Sequence, residues 1–217
     1  MRDVLRRRMR DGAPDRGTTL AELLVATVVF AIAMAMIMSA AIAVMHATDS
    51  SRSAADAAYE ARQALAMIDR QVRSGNVLFS PADEAAYIST CQNLGTNQGS
   101  CMRIYTQSNG DEKCVQWQLA ADGTGTYQLK MRSWKTTWQT TGGVSGWTVA
   151  ARNLVMPSAP FTLDVGPGGI YGSRLLRVQL VAHNATSGKD VAIDGSISGR
   201  NTTYGYTGSE CLPVPPA

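Results

Sequence analysis

The chain of 217 residues is 45% apolar and 17% charged, enough to bury one sizeable core and too short for a large multidomain enzyme. Its formal charge of +3 is local: residues 1–17 carry six Arg against three Asp, and the remainder balances at 14 basic and 14 acidic side chains. That balance argues against nucleic acid as the main partner, and two His with four Cys leave little for metal or general-base chemistry.

Residues 1–17 are polar, Arg-rich and broken by Gly12, Pro14 and Gly17, so they read as a cytoplasmic leader rather than a packed element. From Leu20 to Met45 the side chains are apolar except for Glu22, Thr27 and Ser39. Such a run is long enough to cross about 30 Å of hydrocarbon. Arg6, Arg7, Arg8, Arg10 and Arg16 precede it and no comparable cluster follows, which places the amino terminus in the cytoplasm and the rest outside.

No Gly or Pro occurs from there until Gly75, while Ala58, Ala61, Leu65, Ile68 and Val72 recur at steps of three and four. The helix is therefore expected to continue as an amphipathic rod, on the order of 80 Å from Thr19 to Ser74. From Asn76 onward the period drops to two, with turn signals at Asn109-Gly110, Asp122-Gly123, Gly142-Gly143 and Gly168-Gly169. Val115, Trp117 and Leu119 point one way and Cys114, Gln116 and Gln118 the other, and later segments alternate likewise. The expected fold class is α+β: a long amino-terminal helix packed on a one-sided antiparallel sheet. The expected segments are a basic leader (1–17), a membrane half of the helix (18–45), an amphipathic half (46–75) and a β-rich head (76–217). The tail Leu212–Ala217, with three Pro, reads as an extended end.

Cys91, Cys101, Cys114 and Cys211 all lie on the expected outer side of the membrane, where two disulfides should form. A two-residue turn at Asn109-Gly110 pairs Tyr105 with Cys114 and Cys101 with Gln118, leaving Cys101 and Cys114 about 13 Å apart, beyond disulfide reach. This favours 91–101 with 114–211, and 91–114 with 101–211 stays open. Both strand cysteines lie opposite Trp117, so the bridges should pin a loop and the carboxy-terminal tail over the outer surface. No C-x-x-C spacing and no His at ligand spacing supports a metal, and no cofactor is expected. No nucleophile constellation includes His46 or His183. Trp134, Trp138 and Trp147 offer the alternative of an aromatic ligand-binding surface.

A carboxylate at the start of a membrane run is costly, and its neighbours suggest a reason for it. Gly17-Thr18-Thr19-Leu20-Ala21-Glu22-Leu23-Leu24-Val25 resembles the type IV prepilin signal, in which a basic leader ends in Gly. The resemblance implies cleavage between Gly17 and Thr18 by a membrane peptidase that also methylates the new amino terminus, Thr18. Glu22 is then the fifth mature residue, pairing with the terminal amine of a neighbouring subunit during assembly. Thr18 stands where the family usually has Phe or Met, and the helix lacks the family's common Pro. The distal pattern from Ala61 to Ser74, with Gly199-Arg200-Asn201-Thr202 later, looks like the minor pseudopilins of the J or W type. The implied function is that of a non-enzymatic minor pilin or pseudopilin in a type IV pilus or a type II secretion-like pseudopilus, in initiation or at the tip. Implied partners are the prepilin peptidase and N-methyltransferase, other pilin or pseudopilin subunits, an inner-membrane assembly platform and membrane lipid. The implied location is the cytoplasmic membrane, single-pass, and then an extracytoplasmic filament. The rivals are a tip adhesin or DNA-uptake subunit and, behind them, a membrane-anchored extracytoplasmic hydrolase.

Overall fold

A computed structural model describes residues 19–107, 110–184, 188–200 and 205–216. One unbroken helix, α1 (Leu20–Ser74), comes first. Its residues divide between two units, Met1–Thr48 and Asp49–Ala217. Among its described residues the second unit adds ten strands: β1 (Gly75–Leu78), β2 (Asn93–Gly95), β3 (Gln98–Gly99), β4 (Cys101–Thr106), β5 (Lys113–Ala121), β6 (Tyr127–Lys135), β7 (Thr148–Val155), β8 (Phe161–Asp164), β9 (Leu175–Asn184) and β10 (Lys189–Ser198), with a one-turn helix α2 (Trp138–Thr141). The class is α+β.

All pairings are antiparallel, in the order β1-β4-β5-β6-β7-β9-β8-β3-β2. One edge of β9 is shared, its first half pairing β8 and its second half β7. Its other edge carries β10 along ten residues. Tyr105 faces Cys114 and Cys101 faces Gln118, the register expected from the turn; Ser108 and Asn109 themselves lie outside the described residues.

The distal part of α1 packs on the inner face of this sheet. Ala58, Ala61, Ala64, Ile68 and Val72 are buried with Ile104, Val115, Trp117, Leu129, Leu154, Phe161, Leu176 and Val178. The stripe is built of three alanines, whose small side chains allow the helix backbone a close approach to the strands, and of the larger Ile68 and Val72. Polar groups fix the seat. Trp117 Nε1 donates to Gln71 Oε1 at 2.6 Å, and the Arg152 backbone N–H donates to Glu60 Oε2 at 3.0 Å.

The sheet is not one-sided as expected: its outer face is covered as well, by the loop and tail that the two bridges were expected to pin there. All six residues of β4 are buried, as are the six central ones of β5. The cover is the turn-rich segment around Pro81–Ala86 and the tail from Gly205, which bury Ile88, Cys91, Tyr105, Trp134 and Cys211 in two smaller clusters. Antiparallel sheets face water where nothing closes them over; here two disulfides and a set of arginines supply the closure. The tail is accordingly a packed element, with Cys211 and Pro215 buried, rather than a loose extended end.

Ile68 is fully buried, so Ile68→Ala should destabilise the Asp49–Ala217 unit by about 3 kcal/mol. The exposed neighbour Arg70→Ala should stay within about 0.5 kcal/mol, both read by denaturant unfolding of the full chain in detergent.

Candidate functional site

The segment singled out by sequence begins at the helix start. Gly17 and Thr18 lie outside the described residues, so the expected cleavage and methylation positions carry no structural description. Thr19 is the first residue described, and it caps α1. The Glu22 backbone N–H donates to Thr19 Oγ1 at 3.3 Å, and the Leu23 N–H donates to the Thr19 carbonyl at 3.1 Å. Thr19 and Glu22 thus stand as cap and third helical residue, the spacing of a capping box. The acid in the first turn also complements the positive end of the helix dipole.

Beyond the cap, every residue from Leu20 to Asp49 is exposed. That surface includes Leu23, Val29, Phe30, Met36, Ile37 and Met45, each roughly half or more open. The only charge from Leu20 to Met45 is Glu22. The two other polar side chains of that stretch satisfy themselves internally: Thr27 Oγ1 donates to the Leu24 carbonyl and Ser39 Oγ to the Met36 carbonyl, both at 2.8 Å. Such internal bonding is what lipid demands of a hydroxyl. The helix is long and apolar enough to cross a membrane. Glu22, Val25, Ala26, Val29 and Ala33 share one strip of its surface, with alanines where a second helix could approach closely.

Disulfides join Cys91 to Cys101 and Cys114 to Cys211. They point to an oxidising compartment for the Asp49–Ala217 unit. Between them lies a buried polar network that sequence reading missed. Glu84, Arg103, Gln116 and Arg132 are each at most 2% exposed. Gln116 Nε2 donates to Glu84 Oε2 at 2.7 Å, and Arg132 Nε donates to Gln116 Oε1 at 3.0 Å. Arg103 Nε lies 3.1 Å from Glu84 Oε1, an ion contact without hydrogen-bond alignment, since neither atom has a hydrogen-bond partner.

The outer ends of both arginines hold the tail. Arg103 Nη1 donates to the Cys211 carbonyl at 3.2 Å. Arg132 forks onto the carbonyls of Pro215 and Pro216 at 2.7 and 2.6 Å. Aromatic faces flank both cations: Phe79 and Tyr87 lie over Arg103 at 4.3 and 4.8 Å, and Trp147 over Arg132 at 4.6 Å. Burial pushes the Glu84 carboxyl up from its ordinary range, against the opposing pull of Arg103 and Gln116. Burial also pulls the Arg132 guanidinium down.

The tryptophans offered as an aromatic binding surface are occupied by this arrangement. Trp134 is buried, Trp138 Nε1 donates to the Pro213 carbonyl at 3.0 Å, and Trp147 lies on Arg132. His46 is exposed on α1, and His183 Nδ1 is 2.7 Å from Asp190 Oδ1. Among the described residues no three His, Cys, Asp or Glu side chains gather as a metal site. Trp134 and Trp138 pack in one cluster with the Cys114–Cys211 bridge.

No protein-family model, no curated protein and no solved structure matches the chain.

The two disulfides should differ in weight. The bridge between Cys114 and Cys211 spans 97 residues against 10 for the other. Replacing that pair with Ala should therefore cost about 2 kcal/mol more than replacing Cys91 and Cys101, from loop-closure entropy; urea unfolding of the full chain in detergent reads the difference. The raised Glu84 pKa means that the folded state holds its proton to higher pH than the unfolded state does. The contribution of Glu84 to stability is then fully present below the unfolded value, ~4.5, and is lost as pH rises through the folded value. Melting of wild type and Glu84→Gln from pH 4.5 to 8 should show wild type losing ground to the variant as pH rises. Glu84→Ala, which leaves Arg103 and Gln116 without their partner, should cost about 3 kcal/mol or more.

Proposed function

We propose that the protein is a non-enzymatic minor subunit of a type IV pilus or type II secretion-like pseudopilus. In this reading a prepilin peptidase cleaves between Gly17 and Thr18, the amine of Thr18 is methylated, and the helix from Thr19 packs among sister helices. The observation that carries it is the helix surface from Leu20 to Met45: wholly exposed, apolar, self-satisfied in its hydroxyls, with one carboxylate in the first turn.

That surface suits two successive surroundings. Against lipid, the apolar side chains and internally bonded hydroxyls cost nothing. Against other helices, the strip of Glu22, Ala26 and Ala33 allows close backbone approach. Glu22 then pairs with the amine of a neighbouring subunit's Thr18, a desolvated pair that penalises any register leaving either charge alone. The disulfide-pinned unit would stand outside the membrane and give the subunit its individual surface. Its 142 residues after Gly75 suit a scarce subunit acting in initiation or at a tip. Peptidase, sister subunits, assembly platform and lipid are the partners this role needs.

The mass of the amino-terminal peptide, taken from native membranes and from sheared filaments, tests the processing. A peptide beginning at methylated Thr18 supports the proposal. An intact Met1, or a start near Ala43 or Ala47, overturns it. Glu22→Ala should leave the membrane-bound amount unchanged and lower the amount in sheared filaments by about tenfold or more, as expected for losing one partner of a buried ion pair.

A further inference from the structure

Among the described residues, β10 is the one strand of the larger unit that is long, regular and open. All ten residues ladder to β9, without a bulge, and among the described residues no strand pairs with its other edge. It carries no Pro. Natural edges are usually protected by short length, bulges, Pro or charge, and β10 has only the last of these. Its alternate main-chain groups are a ready template for a further strand.

A second feature adjoins that edge. An open groove of about 320 Å³ runs beside β10, lined by Arg62, Leu65, Ala66 and Asp69 of α1 and by Gly195, Ser196 and Ile197. Its floor is apolar and its rim charged. Leu65 packs closely over Gly195, where a Cβ would come within 2.9 Å of Leu65 Cδ1. A side chain at that position would push the Leu65 methyls aside. A strand added to β10 would direct alternate side chains toward this floor, and the others toward the outer face.

The outer face selects the occupant. Asp190 and Asp194 lie on it, four residues apart; Asp190 is engaged by His183, and Asp194 is exposed. A second copy of the chain fits poorly. Side-chain alternation restricts two-fold self-pairing to registers that preserve facing. Centred on Ala192, such pairing sets Asp190 directly opposite Asp194, twice. Centred on Ile193, it leaves those carboxylates diagonal neighbours, still within reach of one another.

We infer that the outer edge of β10 from Asp190 to Ser198, with the Leu65–Ala66–Ile197 groove, is a docking site for an extended segment of another protein. That segment carries Lys or Arg on the face beside Asp194 and apolar side chains on the face toward Leu65. Main-chain pairing supplies the grip, the groove selects the apolar side chain, and Asp194 selects charge. The site lies wholly within the Asp49–Ala217 unit and stands whether or not the chain enters a filament.

The test uses the full chain in zwitterionic detergent with three end-blocked peptides: alternating Val and Lys, alternating Val and Glu, and the Val-Lys peptide N-methylated at alternate residues. The Val-Lys peptide should slow amide exchange in 189–198, and the N-methylated peptide should not. Asp194→Lys, an exposed change that leaves the core intact, should shift preference from the Val-Lys to the Val-Glu peptide by about tenfold, as one attractive cross-strand pair becomes repulsive. Equal binding of the N-methylated peptide would show plain charge attraction and sink the idea. So would protection mapping elsewhere, an unchanged preference in Asp194→Lys, or protection of 189–198 that grows with protein concentration alone, which would make the occupant a second copy.

Discussion

A single unbroken helix has to satisfy two different surroundings, and most of the structure is arranged around that demand. From Leu20 to Met45 it offers apolar side chains on every face, the pattern of a helix whose whole circumference meets apolar material. From Ala58 to Val72 it offers one stripe, the pattern of a helix with one side on a core. No Gly or Pro separates the two regimes, so the change is made by side chains alone. Propensity does little to hold so long a helix. The distal half is held by the sheet, and the sheet in turn has its inner face closed by that same stripe.

Closing the outer face poses a different problem. Strands that alternate core residues with Arg103, Gln116 and Arg132 would ordinarily show those side chains to water. Here the tail passes over them, and both arginines spend their donors on its carbonyls. A buried ion pair gains little net free energy once desolvation is counted, although breaking it is expensive. The network therefore contributes specificity more than stability: a displaced tail would strand the Arg103 Nη1 and Arg132 Nη1 and Nη2 donors that it satisfies. The Cys114–Cys211 bridge limits how far the tail can stray, and the guanidinium forks fix where it settles.

How much of this could be read from sequence varied with the kind of signal. The helix stripe was legible because Ala58, Ala61, Leu65, Ile68 and Val72 recur at helical spacing, although Ala64 is buried and Leu65 only partly so. The register of β4 with β5 followed from turn chemistry, and through it the separation of Cys101 from Cys114. The outer cover was not legible as a whole. A polar residue opposite a core residue reads as solvent-facing, and nothing in Arg103, Gln116 or Arg132 by itself says otherwise. The available hint lay in the cysteines: two of them on the outer face meant that chain had to lie there. Glu84 gave no signal at all, because its role depends on groups 19 to 48 residues away in sequence.

Glu22 repays closer attention, since the cap could be thought to explain it. A Thr cap followed three residues later by an acid is a sound way to start a helix, and the dipole adds about 0.3 to 1 kcal/mol for a negative charge there. Gln serves the capping box as well as Glu does, however, and carries no charge toward the hydrocarbon. A carboxylate deep in a bilayer costs about 2.5 to 3.5 kcal/mol on insertion scales, less near the interface but still comparable with the whole dipole gain. Capping therefore accounts for a polar side chain at this position and leaves the choice of a charged one unexplained. The processing and assembly proposed above would explain both: in the membrane the acid would sit at the helix mouth, and among sister helices it would meet a cation. On that proposal the residue that stands in the first turn of the helix would also set its register against the next subunit.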